Sequence, residues 1–209
     1  MERYPLSDEV IDALGDKVVA ALGAAVIGAK ADLAEYRLGM PHFVADHSGR
    51  GLANWIHDRI WARIVAELDG VESVSFVDSG PLRELYVGMD FRLRFKRHSP
   101  TGAIRSYPTL GALDFITQEP DLFSLLGIHT LNLSAGYEWD ELARTMGDPV
   151  LSLRDGSFEE VIWMTTLPAA GGTAGGTITP ISPVTDGPTA PIIEVPSYDA
   201  AEYEGTNDA

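Results

Sequence analysis

From Asp90 to Lys96 the chain alternates strictly between polar and apolar positions. Asp90, Arg92, Arg94 and Lys96 take one parity, and Phe91, Leu93 and Phe95 take the other. A period of two means a β-strand with one face toward a core and one toward water. On this reading Arg92, Arg94 and Lys96 point to solvent. Two helical stripes precede the strand. Ile11, Leu14, Val18, Leu22, Ala25, Ala29 and Leu33 recur at helical spacing and predict one helix over 8–37, with Ser7 as N-cap and Gly39 and Pro41 as its stop. Leu52, Ile56, Ile60, Ile64 and Leu68 fall four apart and predict a second helix over 51–68, ended by Gly70. Small residues fill the first stripe from Ala20 to Ala29. They suit either a close contact inside the chain or a homodimer seam along the helix 8–37.

The remaining pattern is strand-like with short helical inserts. Residues 73–77 predict a strand, Asp78-Ser79-Gly80-Pro81 a turn, and Ser99-Pro100-Thr101-Gly102 another, with 103–107 pairing back. Thr109 caps a short helix reaching Gln118, and 120–126 predict a further helical turn. Residues 129–138 read as a strand, 139–146 as a helix, and 150–166 as a hairpin around Asp155-Gly156. The sum is an α+β fold: two N-terminal helices on a mostly antiparallel sheet of about five or six strands, with short inserted helices.

Composition changes at Ala169. Residues 1–168 form the single globular domain. Residues 169–209 are rich in Pro, Gly and Thr and carry six of the 31 acids and none of the 15 bases, so the body stands near −10 within a total of −16. A segment of that kind cannot repay the entropy of ordering and is expected to be a disordered acidic tail. There is no cysteine, which removes disulfides, thiolate metal sites and cysteine nucleophiles. The first residues lack a basic region followed by an apolar run, and the apolar run 18–29 is too short to span a bilayer. The expectation is a soluble cytoplasmic protein with no membrane partner.

Against this acidity the strand is anomalous. Arg83, Arg92, Arg94, Lys96, Arg97 and Arg105 are six of the fifteen bases. Three readings are open: a solvated face paired with neighbouring acids, a nucleic-acid contact with Tyr86 or Tyr107 for stacking, or a surface for an acidic protein or the tail. We take Arg83, Arg92, Arg94, Lys96 and Arg97 as the partner-binding candidates. Arg50, Asn54, His57, Asp58 and Trp61, on or beside one side of the second helix, form a candidate second surface.

Catalytic and metal motifs are weaker. His42, Asp46, His47, His57 and Asp58 cluster in sequence, yet their spacing matches no metal motif, and no metal or other cofactor is expected. Asp78, Glu84, Asp90 and Lys96 can be assembled into a metal-dependent nuclease site, but Asp90-x-Arg92 offers Arg where such sites use Lys. Asp46-His47-Ser48 cannot be a triad, because adjacent side chains diverge. No catalytic residue is assigned.

The runs Asp46-His47-Ser48-Gly49-Arg50-Gly51-Leu52-Ala53-Asn54-Trp55-Ile56-His57-Asp58-Arg59, Arg83-Glu84-Leu85-Tyr86-Val87-Gly88 and Arg92-Leu93-Arg94-Phe95-Lys96-Arg97-His98 resemble an uncharacterised bacterial and prophage family. Its members are often encoded beside regulatory metallopeptidases of the ImmA/IrrE type. The resemblance covers residues 40–167. It implies a part in a repressor–protease or antitoxin-like module and transfers no catalytic residue. The chain lacks the His-Glu-x-x-His of the peptidase, so the resemblance implies the partner and not the enzyme. The leading expectation is therefore a non-enzymatic regulatory binding protein with a protein or nucleic-acid partner. The alternatives are a divalent-metal nuclease and a phage structural or accessory protein.

Overall fold

Gly15 breaks the expected first helix in two. Its φ of +80° lies in the left-handed region, which glycine enters without penalty. The computed structural model describes residues 4–80, 82–118 and 130–168. In it α1 (Ser7–Leu14) precedes α2 (Asp16–Gly39). Ser7 is the first helical residue and not the cap; the Glu9 carboxylate reaches back to accept from Leu6 N–H at 2.8 Å. After Pro41, which suits a first helical turn, comes α3 (Pro41–Asp46), where a loop was expected. Ser48 caps α4 (Gly49–Leu68), accepting from Gly51 N–H at 3.0 Å.

The sheet follows as β1 (Val74–Ser79), β2 (Leu82–Val87), β3 (Phe91–His98), β4 (Leu131–Asp140), β5 (Thr145–Leu153) and β6 (Trp163–Thr166), with α5 (Leu110–Ile116) between β3 and β4. The six strands lie in sequence order. Four neighbouring pairs are antiparallel, and β3–β4 is parallel, with Phe91 opposite Leu131 and His98 opposite Glu138. This is the expected α+β architecture, with one parallel seam added. Parallel neighbours need a long crossover, and here the crossover carries α5. The predicted helix over 139–146 is instead the end of β4, a turn and the start of β5, with Arg144 at φ 53°. The pairing of 103–107 reduces to one bridge, His98 with Ile104. The helical turn expected over 120–126 and the tail expected over 169–209 lie outside the described residues.

The main core lies on one face of the sheet. Leu52, Ile56, Ile60, Ile64 and Leu68 of α4 are all at most 1% exposed, as their spacing of four requires. They meet Leu85, Leu93 and Phe95 of the sheet and Val18, Leu22, Val26 and Leu33 of α2. Each such side chain contributes roughly 1.5–3 kcal/mol of transfer free energy. The small residues of α2 serve this packing. A Cβ on Gly23 would run into the Pro168 carbonyl, and one on Gly28 would lie 2.6 Å from the Arg63 guanidinium. A second, smaller core of Ile104, Phe115 and Ile116, flanked by Phe158, covers the other face. No helix among the described residues is long and apolar enough to cross a membrane.

Candidate functional site

The basic strip divides by parity. Odd-numbered Arg83 and Arg97 stand on the face carrying the helices; even-numbered Arg92, Arg94 and Lys96 stand on the face under α5. The expectation that these last three point to solvent is corrected. The Arg92 and Arg94 side chains keep 20% and 11% of their surface. Period two separates two faces, but it does not say that the polar one is wet. Here the crossover folds back over it.

Glu84 organises this covered layer. The antiparallel register sets Tyr86 opposite Arg92 and Leu85 opposite Leu93, so Glu84 lies on the face of the arginines. Its carboxylate accepts from Arg92 Nε at 2.9 Å, Arg94 Nε at 2.7 Å and the Tyr86 hydroxyl at 2.7 Å. Burial pushes the Glu84 carboxyl up, but the hydrogen bonds from Arg92, Tyr86 and Arg94 outweigh it and hold the group below its usual range. Arg94 also donates to the Gly111 carbonyl at 2.8 Å, and Arg92 lies 3.4 Å from Asp114. The Phe115 ring packs on both guanidinium groups, 4.4 Å from that of Arg94 and 5.5 Å from that of Arg92. Thus α5 is fastened to the strip by hydrogen bonds and cation–π contacts.

Further along β3, Lys96 has no such acid. Its ammonium reaches the Ser106 hydroxyl at 3.4 Å. Burial first, then the positive charges of Arg94 and Arg154, lower its pKa to about 8. His98 is fully buried and bonds through Nε2 to the Ser152 hydroxyl at 2.9 Å. Burial, with Arg154 beside it, pushes its pKa down to about 3, so the ring is neutral. Arg154 is 1% exposed and donates to the carbonyls of Gly102 at 2.7 Å and Phe158 at 3.0 Å. Sequence reasoning missed Arg154 and Ser152. The signal was the alternation of Ser152 and Arg154 with Leu151 and Leu153.

On the helix side, Arg83 bridges Asp58 and Asp78 and lies 3.4 Å from His57 Nδ1. Trp61 is a core residue. Its indole N–H donates to Asp78 at 2.8 Å, and its ring meets Phe76 and Phe95 edge-on. Burial, then Arg83, lowers the His57 pKa. Asn54 is exposed and, with His57, Phe95 and Tyr137, lines a small cavity of about 130 Å³. Arg50 is exposed in the first turn of α4, apart from this cluster. Three of the five second-surface residues, His57, Asp58 and Trp61, therefore gather around Arg83, and Asn54 joins His57 at the cavity.

The histidines do not converge. His47 sits with Tyr36 at 3.2 Å, whose ring stacks on Trp55, while His42 is exposed. Among the described residues no group of three or more His, Asp or Glu is placed to hold a metal ion. The nuclease constellation is likewise dispersed. Asp78 is engaged by Trp61 and Arg83, Glu84 by two guanidiniums, and Asp90 is exposed in the turn before β3.

Two surfaces remain. A groove of about 830 Å³ lies at the carboxyl ends of β3 and β4, walled by Arg97, Arg105, Glu138, Trp139, Glu141 and Glu159. Arg97 packs over Trp139 at 5.4 Å and faces Glu141 at 3.8 Å. Burial, then the charge of Asp148, raises the Glu138 pKa. The second surface is apolar. Tyr107, Leu110 and Leu113 are spaced three apart, on α5 and just before it, and are 84%, 88% and 40% exposed. No family model, no curated protein and no solved structure matches the chain.

Proposed function

We propose that the chain is a non-enzymatic regulatory protein, antitoxin-like in mode, that acts by binding a protein partner on the outer side of α5. The observation that carries this reading is the exposed stripe of Tyr107, Leu110 and Leu113. A seven-residue helix that spends large side chains on water, while Phe115 and Ile116 already fill its inner side, presents an interface rather than a fold requirement. Arg105 is exposed beside it with no ion pair among the described residues. The partner that fits is a protein surface with an apolar anchor and a neighbouring carboxylate. Nucleic acid fits less well, because the cations that would meet phosphates are covered and the body as a whole is acidic.

The test is a titration. A partner captured by the wild-type chain is identified, purified and titrated against wild type and against Tyr107→Ser/Leu110→Ser/Leu113→Ser. The triple variant is expected to lose at least about tenfold in affinity while keeping the wild-type melting midpoint. Equal affinity of the two proteins would defeat the proposal.

A further inference from the structure

The face of the sheet beneath α5 holds more positive charge than its acids balance. Arg92, Arg94, Lys96 and Arg154 lie there, and Glu84 is the one buried carboxylate among the described residues. Glu84 is saturated by Arg92, Arg94 and Tyr86. Arg94 turns its remaining side to the Gly111 carbonyl, and Arg92 turns its own to the exposed Asp114. None of this negative charge reaches Lys96, whose ammonium has the Ser106 hydroxyl as its hydrogen-bond partner and no ion pair among the described residues. Arg154 donates to neutral oxygens alone, those of Gly102, Phe158, Glu160 and Ser152, and the Glu159 carboxylate acts on it only at a distance.

Unfilled hydrogen-bonding capacity coincides with this unbalanced charge. Ser134 Oγ and Arg154 Nε are buried without a partner. The parallel register sets Arg94 opposite Ser134 and Lys96 opposite Gly136. Ser134 is thus a diagonal neighbour of Lys96 on the same face, and Gly136 lets the Lys96 carbonyl approach where a Cβ would stand. Buried cations are ordinarily paired, since an unpaired one forfeits its hydration. Under neutral conditions this layer relieves the cost only in part, through the weakened hold of Lys96 on its proton.

We infer that the layer between β3 and α5 binds a small oxyanion on the Lys96 ammonium, with the Ser106 and Ser134 hydroxyls as further donors. A phosphoryl group and a carboxylate share this chemistry: compact, anionic, and rich in acceptors for charge-assisted hydrogen bonds. The site lies under α5, whereas the proposed partner surface lies on its outer side, so either can fail without the other.

The test uses the purified full chain at constant ionic strength in sodium phosphate, sodium acetate or sodium chloride, read by melting midpoint and by calorimetric titration. An oxyanion at a hundredfold excess over its Kd is expected to raise the midpoint by about 5 °C or more over chloride. Lys96→Met, which removes a buried charge, is expected to weaken binding at least tenfold, and Lys96→Arg to retain it. A greater rise in phosphate assigns the site to phosphoryl groups; a greater rise in acetate assigns it to carboxylates. Equal midpoints in the three salts, or an undiminished rise in Lys96→Met, would overturn the inference.

Discussion

Glu84 on β2 and Arg94 on β3 form a buried ion pair, with 2.6 Å between carboxylate oxygen and guanidinium nitrogen. The same oxygen lies 2.6 Å from Arg92. Two guanidiniums therefore share one buried carboxylate, in a layer from which water is largely excluded, and Arg92 has only the exposed Asp114 besides. Removing one partner of a buried pair costs more than the pair contributes, because the other charge is left unbalanced. Glu84→Gln is expected to destabilise the body by about 3–5 kcal/mol, read by urea denaturation at pH 7. Arg94→Glu sets two carboxylates together under α5 and is expected to prevent folding. A wild-type urea midpoint for either variant would show that the layer is not held by this pair.

Lys96 gives a pH signature. Its pKa is about 8 in the folded chain against an ordinary 10.5, so between those values the unfolded chain binds more protons. Stability from this group is complete above about 10.5 and is lost as pH falls through about 8. The groups acting on the ammonium are Arg94 on its own strand, Arg154 at the end of β5, the Ser106 hydroxyl and, more distantly, His57 of α4. Tyr86 and Tyr137, both pushed above the ordinary tyrosine range by burial, are common to wild type and Lys96→Met and cancel in the comparison. The difference in unfolding free energy between the two proteins is expected to move toward wild type by about 1.4 kcal/mol per pH unit from pH 8 to pH 10. A flat difference across that range would place Lys96 in water.

Two glycines of α2 separate backbone from side-chain crowding. Gly23 faces the Pro168 carbonyl, which cannot step aside; Gly28 faces the Arg63 guanidinium, which is held by Asp32 at 2.5 Å and is partly exposed. Alanine gains roughly 0.5–1 kcal/mol over glycine inside a helix. At Gly28 that gain offsets the loss of a partly exposed ion pair worth about 0–1 kcal/mol, and Gly28→Ala is expected to be near neutral. At Gly23 the overlap outweighs it, and Gly23→Ala is expected to cost about 1–3 kcal/mol. Thermal melts of the two variants check the contrast, and the opposite order would refute it.

Much of the architecture was legible because it rests on periodicity. The stripe of Leu52, Ile56, Ile60, Ile64 and Leu68 and the alternation of Phe91, Leu93 and Phe95 name the core side chains correctly. The break at Gly15 was hidden, since the apolar stripe runs on from Ile11 and Leu14 to Val18 across it, and the interruption is one backbone dihedral. The strand through Trp139 was hidden by the turn at Arg144, which no glycine or proline announces. The parallel seam could not be read, because it pairs residues 40 positions apart, and no local pattern encodes that register. The candidate site suffered for the same reason. Thr109 marked a helix start, but nothing in the helix said that it would close over Arg92 and Arg94. The division of Arg83 and Arg97 from the other bases was present in their odd numbering.

The order of the strands has a consequence for synthesis on the ribosome. α2, near the start of the chain, packs on β4 and β5, whereas α4 packs on β3. When β3 has emerged, α4 can already find its strand, but the side of α2 meant for β4 and β5 has no sheet to cover it. It stays exposed until the crossover and two further strands have been made. α2 can settle on α4 early, but its sheet-facing side is among the last surfaces to be covered, and the body cannot be divided into an early half and a late one.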